Sequence, residues 1–122
     1  TMATKLSTIS LIGSNNSIRL AVWAPLANGD DGTPFEFVDW ADRTVQVFGT
    51  FGAGGTVLVE GSNDGTNWAT LTDSNGVAMS YTAAAVKQIN EAPRYVRPRV
   101  TAGDGTTALT FSLTARRVEA RL

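Results

Sequence analysis

The 122-residue chain contains no cysteine and no histidine, and lysine occurs only at Lys5 and Lys87. Without cysteine there is neither a disulfide framework nor a thiolate metal site, and the redox compartment leaves no mark on the chain. Without histidine the usual general base near neutral pH is missing, together with the Ser-His and Cys-His nucleophile pairs and the commonest metal ligand. No apolar run is long enough to span a membrane. The first dozen residues, TMATKLSTISLI, hold one lysine and an apolar run broken by Ser7, Thr8 and Ser10, which is too polar for a secretory signal. Thr1 precedes Met2; if Met2 is the true start, nothing here directs export. Good helix formers are scarce too. The longest stretch of them without Gly or Pro is 81–92, YTAAAVKQINEA, enough for about two to three turns at most.

What remains is a composition with 43% hydrophobic residues, enough for one domain to fold around a single core without staples. The formal charge of -1 argues against a protein that holds nucleic acid through its overall field. Charge is uneven, however: residues 94–122 carry Arg94, Arg97, Arg99, Arg116, Arg117 and Arg121 against only Asp104 and Glu119.

Strand patterns recur along the chain. Residues 17–24 (SIRLAVWA) alternate with Ile18, Leu20 and Val22 on one face, and Pro25 is expected to end the strand. A short run includes Phe35, Phe37 and Val38. Residues 44–51 put Val45, Val47, Gly49 and Phe51 on one side and Gln46 and Thr50 on the other, and GAGG then leads to 57–60, a pairing that reads as a β-hairpin. The stretch EGSNDGTNW (60–68) has the polar make-up of a ligand loop, but Asn63, Asp64 and Gly65 are ordinary turn formers, so a turn explains it without a ligand. DSNG at 73–76 is a second such turn. In 94–101, Val96 and Val100 oppose Tyr95, Arg97 and Arg99, and Pro98 marks an edge strand or a bulge. AGDGT reads as a hairpin turn into 107–115, where Leu109, Phe111 and Leu113 face inward. The expectation is an all-β protein, a two-sheet antiparallel sandwich of about seven to eight strands, with jelly-roll and immunoglobulin-like strand orders both open. Residues 17–117 form the sandwich, 1–16 an N-terminal arm or first strand, and 118–122 a C-terminal tail.

Several clusters carry chemistry. Asp30, Asp31, Glu36 and Asp39 have the carboxylate density of a calcium loop but no specific spacing, and solvated turn residues explain them better; no metal is expected. The same carboxylates lack the defined cleft of a glycosidase pair. Arg97, Arg99, Arg116 and Arg117 suit a protein interface better than a plain solvated strand face, and either better than nucleic acid, because a chain poor in lysine and rich in arginine favours planar bidentate contacts with carboxylates. Trp23 and Trp40 are candidate stacking platforms for a glycan; in the plainer reading, Trp40 and Trp68 cap the ends of the core. Leu6 and Ile9, with Leu11 and Ile12, give the N-terminal segment an apolar character suited to packing on a neighbour.

The run 41–117, with ADRTVQVFGTF, VLVEGSNDGTNW, LTDSNG, APRYVRPRV and GDGTTALTFSLTARR, resembles small β-sandwich structural proteins of tailed bacteriophages. The likeness covers roughly two thirds of the chain and rests on phrase and pattern, without an invariant catalytic motif. It implies a non-enzymatic capsid decoration or cement protein without cofactor, made in the bacterial cytoplasm and carried on the outer surface of the virion. Its partner would be the major capsid protein, bound commonly as a trimer at threefold positions, with no part played by nucleic acid or membrane. A second likeness, through Ser62, Asp64, Gly65, Trp68 and the segment 94–97, is to discoidin-like carbohydrate or lipid binding domains. It implies the alternative of a carbohydrate-binding module on a tail or baseplate.

Overall fold

A computed structural model describes residues 3–36 and 40–117. Within them the chain forms strands β1 (Thr4–Lys5), β2 (Thr8–Ile12), β3 (Ile18–Leu26), β4 (Asp31–Gly32), β5 (Phe35–Glu36) and β6 (Trp40–Thr50). They continue with β7 (Thr56–Ser62), β8 (Ala69–Thr70), β9 (Ser80–Tyr81), β10 (Ala85–Gln88), β11 (Tyr95–Ala102) and β12 (Ala108–Arg117). One sheet has the order β1-β4-β11-β7-β8, with β5 also on β11 and β9 also on β7; the other has the order β10-β6-β12-β3-β2. The two pack face to face as an all-β sandwich. Pairing is antiparallel except between β1 and β4, which run parallel over two residues. Phe37, Val38, Asp39 and the tail 118–122 lie outside the described residues.

The core follows from the period of two. Val45 and Val47 of β6, Leu109, Phe111 and Leu113 of β12, and Ala21 and Trp23 of β3 are buried from one sheet; Val57, Val59, Val96 and Val100 are buried from the other. Trp23 and Phe111 lie opposite each other on β3 and β12, and their rings meet edge to face at 5.6 Å.

Four expectations are corrected. GAGG does not close a hairpin: β6 and β7 lie in different sheets, and so do β11 and β12 on either side of AGDGT. Both connections are arches that cross from sheet to sheet. Alternation cannot tell the two apart, because an arch and a hairpin leave the same inward residues on each flanking strand. Pro25 does not end β3, which runs on to Leu26 across a cis Ala24–Pro25 bond. In keeping with the all-β expectation, the segment 81–92, the longest run of helix formers, holds strand β10 paired with β6, since tertiary pairing overrides a weak local preference. Pro98 does not mark an edge, since β11 has β7 on one side and β4 and β5 on the other; the bulge half of the expectation stands, with a register shift between Val100 and Ala102. Val100 donates its N–H to the Asp30 carbonyl at 2.8 Å. Two residues earlier, the Pro98 nitrogen faces the same flank. There Thr33 and Pro34 separate β4 from β5, so a missing donor costs the ladder little.

Candidate functional site

The turn at 60–68 is held by its own side chains. Asp64 Oδ1 accepts the N–H groups of Thr66 and Asn67, each at 2.8 Å, while Asp64 Oδ2 accepts from the Asn67 side-chain amide at 2.8 Å. Ser62 donates its hydroxyl to Asp64 and accepts the Gly65 N–H at 2.9 Å. These bonds, led by the Asn67 N–H, hold the Asp64 carboxyl far below the ordinary carboxylate range. Gly65 has φ 77°, and β7 and β8 pair on either side as Glu60↔Thr70 and Gly61↔Ala69. An open depression of about 440 Å³ lies beside the turn, between Asn63, Asn67, Leu71 and Glu91. Its polar groups are engaged: Asn63 Oδ1 accepts the Arg94 N–H, and the Glu91 carboxylate accepts the backbone N–H and hydroxyl of Thr72.

The outer face of the β4-β11-β7 sheet is charged and internally paired. Arg97 reaches Glu60 at 3.0 Å and Asp31 at 3.3 Å, and its guanidinium lies 4.1 Å from the centroid of the Trp68 ring. Arg99 binds the other oxygen of Glu60 at 2.9 Å. Glu60 is buried, and the Arg97 side chain is only 19% exposed, so its donors are largely committed within the chain. Arg99 keeps a half-exposed guanidinium. Glu36 pairs with Arg94 at 2.7 Å, and Asp30 pairs with Lys5 while accepting the N–H groups of Ala3 and Ala27. Three of the four carboxylates weighed against a calcium loop thus meet cations or donors of their own chain; Asp39 lies outside the described residues. Glu60, absent from the candidates above, has one signal in the sequence: a lone charge inside the apolar run VLVEG.

Trp23 is not a stacking platform. It is fully buried, and its indole N–H donates to the Thr33 carbonyl at 3.0 Å. The apolar set Ile18, Leu20 and Val22 takes the outer face of β3 instead, the reverse of what their hydrophobicity suggested, because Phe111 and Gly32 leave room for the indole inside. Trp40 is half-buried against the core, with the guanidinium groups of Arg19 and Arg117 at 5.8 and 5.9 Å from its ring centroid. Arg117 also donates to the Asn16 carbonyl at 2.9 Å. Arg116 forms an exposed ion pair with Asp42.

The outer face of the other sheet is different in kind. Cross-strand register sets Val86, Gln46, Ser112, Val22 and Thr8 abreast, and beside them Gln88, Thr44, Thr114, Leu20 and Ser10. These two rows cross all five strands without a charge. Phe48 and Val86 extend the apolar part and are 46% and 59% exposed. Phe48 was legible as an aromatic in phase with the outward Gln46 and Thr50. At the far margin, β2 carries Ile9, Leu11 and Ile12, all exposed, and Leu6 just before it is 81% exposed. The structure therefore separates the residues proposed as one interface: Arg97 and Arg99 lie on the charged sheet, Leu6 in the link from β1 of that sheet to β2, Ile9 at the margin of the other sheet, and Arg116 and Arg117 at the end of β12.

No family model matches the chain, and no curated protein sequence matches it either.

Proposed function

We propose that this chain is a non-enzymatic capsid decoration protein of a tailed bacteriophage, which binds the outer surface of the assembled head and stabilises it. The observation that carries the reading is the five-strand-wide sheet face whose two central cross-strand rows hold no charge, with Phe48 and Val86 exposed on it. A flat face of hydroxyl and apolar groups suits binding through area to another flat protein surface, and desolvating these rows leaves no charge unpaired. The partner is the major capsid protein, and half-exposed Arg99 and exposed Arg116 suit the polar rim of such a contact. Binding only the assembled, expanded shell stabilises that shell by mass action. Attachment at many points makes weak single contacts sufficient. The protein acts on the outside of the virion after synthesis in the bacterial cytoplasm.

The glycan-binding alternative draws less support, since Trp23 is interior and Trp40 is half-buried with two guanidinium groups near its ring. Purified protein mixed with expanded and unexpanded heads tests the proposal. Co-sedimentation with expanded heads and a raised shell melting temperature are expected, with both lost in a Phe48→Asp/Val86→Asp variant that stays folded. Failure to bind either kind of head would overturn the reading.

A further inference from the structure

Among the described residues, the margin strand β2 has β3 as its neighbour on one side and ends the sheet on the other. The direction of its backbone groups can be worked out from the ladder. Arg117 donates its N–H to the Ser17 carbonyl, across the Arg116↔Ile18 pair. In an antiparallel ladder that makes Ile18 a residue whose own N–H and C=O turn away from β12 and towards β2. Leu20 and Val22 follow in phase. Their partners on β2 are Ile12, Ser10 and Thr8, so these three spend their backbone groups on β3. Ile9 and Leu11 therefore direct their N–H and C=O groups out of the sheet.

Natural sheets blunt such an edge with a charge, a proline, a bulge or extreme shortness. The opposite margin, β10, is four residues long and carries Lys87, and β1, β5, β8 and β9 are two residues each. β2 has none of these devices. It is TISLI, five exposed residues in unbroken register, without charge, Pro or Gly.

We propose that β2 pairs antiparallel with β2 of a second copy of this chain, about a twofold axis at Ser10. Among the registers that bring outward groups together, this one sets both Ile9 and Leu11 against each other across the axis, so that all four outward N–H and C=O pairs of the two strands are used. Pairing Ile9 with Ile9, or Leu11 with Leu11, uses only part of them. The side chains agree with this register. Ile9 and Leu11 lie on the same face, opposite Ala21 and Arg19 of β3, and cross-strand pairing joins two of each into one apolar patch. A twofold interface sets a patch against itself, so a charge near the axis would meet its own image. Thr8–Ile12 has no charge to repel. The pair would join two five-stranded sheets into one, with the outer face continuous across the axis. This symmetry departs from the trimer that the phage resemblance implies, and it stands whether or not the protein binds capsids.

The axis sets Ser10 opposite Ser10 in a non-hydrogen-bonded pair, where Cα atoms lie about 4.5 Å apart, within disulfide range. The chain has no other cysteine, so Ser10→Cys is a clean probe. Sedimentation equilibrium of the full chain should give about twice the 12.9 kDa chain mass. Ser10→Cys should cross-link to near completion in air, while Val86→Cys, on the far margin, should not. Leu11→Lys should sediment as a folded monomer. If that variant fails to fold, amide exchange of the wild type decides the matter: Ile9 and Leu11 should slow about tenfold or more between dilute and concentrated protein. A wild type that is monomeric or trimeric, Ser10→Cys cross-linking no faster than Val86→Cys, or Ile9 and Leu11 exchange independent of concentration would each overturn the proposal.

Discussion

The backbone N–H of Ala53 donates to Oδ2 of Asp104, 2.8 Å away and 51 residues along the chain. This bond ties the arch after β6 to the arch before β12. Thr107 completes the clip: its buried hydroxyl donates to the Phe51 carbonyl at 2.8 Å and accepts the Asp104 N–H at 2.9 Å. Two connections that each change sheet thus cross the same end of the sandwich side by side. Their pairing partly replaces the ladder bonds that hairpins would have supplied.

Asp104 should make the fold acid-sensitive over a defined range. Bonds from the Thr106 hydroxyl, the Ala53 N–H and the Thr106 N–H lower its carboxyl from 3.8 to about 2. Between those values the unfolded chain binds the proton and the folded chain does not, so stability is present above pH 3.8 and is lost as pH falls towards 2. Melting temperature measured across this range should fall less steeply in Asp104→Asn than in the wild type. Part of the slope should survive in the variant, since Asp64 is lowered as well.

Gly32 should not tolerate a methyl group. A Cβ there would lie 2.6 Å from Cδ1 and Nε1 of Trp23 and 2.7 Å from Cδ of Pro98. The indole is locked by its bond to Thr33 and its contact with Phe111, so neither neighbour has a cheap way to retreat. Gly32→Ala should cost about 1–3 kcal/mol in urea unfolding, the usual range for overpacking. An unchanged midpoint would show that the indole moves freely.

The sandwich was legible because its strands alternate cleanly where one face is wet, as in 107–115. Three features were hidden for physical reasons. Arches share their alternation with hairpins, so strand partners cannot be read from the flanks. β3 is apolar on both faces, and the choice of Trp23 for the interior depends on the space that Gly32 leaves on a different strand. Pro98 is harmless only because β4 and β5 are interrupted beside it, a long-range fact. The turn at 60–68 was legible throughout, since its polar residues bond within nine residues of chain.

Two ion pairs should behave very differently. Glu60 is buried at 4% exposure between Arg97 and Arg99, and removing its carboxylate leaves Arg97 facing only Asp31 in a poorly hydrated place. Glu60→Ala should cost about 3 kcal/mol. Arg116, 69% exposed, pairs with Asp42 in water, and Arg116→Ala should change stability by less than about 1 kcal/mol. Chemical denaturation of both variants checks the contrast, and equal effects would mean that the Glu60 cluster is solvated.

Trp23 and Trp40 separate in the same way. Trp23→Ala removes a fully buried indole, its bond to Thr33 and its contact with Phe111, and should cost about 3–5 kcal/mol. Trp40 is half-buried under the Arg19 and Arg117 guanidinium groups, so Trp40→Ala loses part of its apolar area and two cation–ring contacts, about 1–2 kcal/mol. Denaturation midpoints should rank in that order. If Trp23→Ala unfolded no more easily than Trp40→Ala, the indole of Trp23 would have to be at the surface, and a stacking role for it would return.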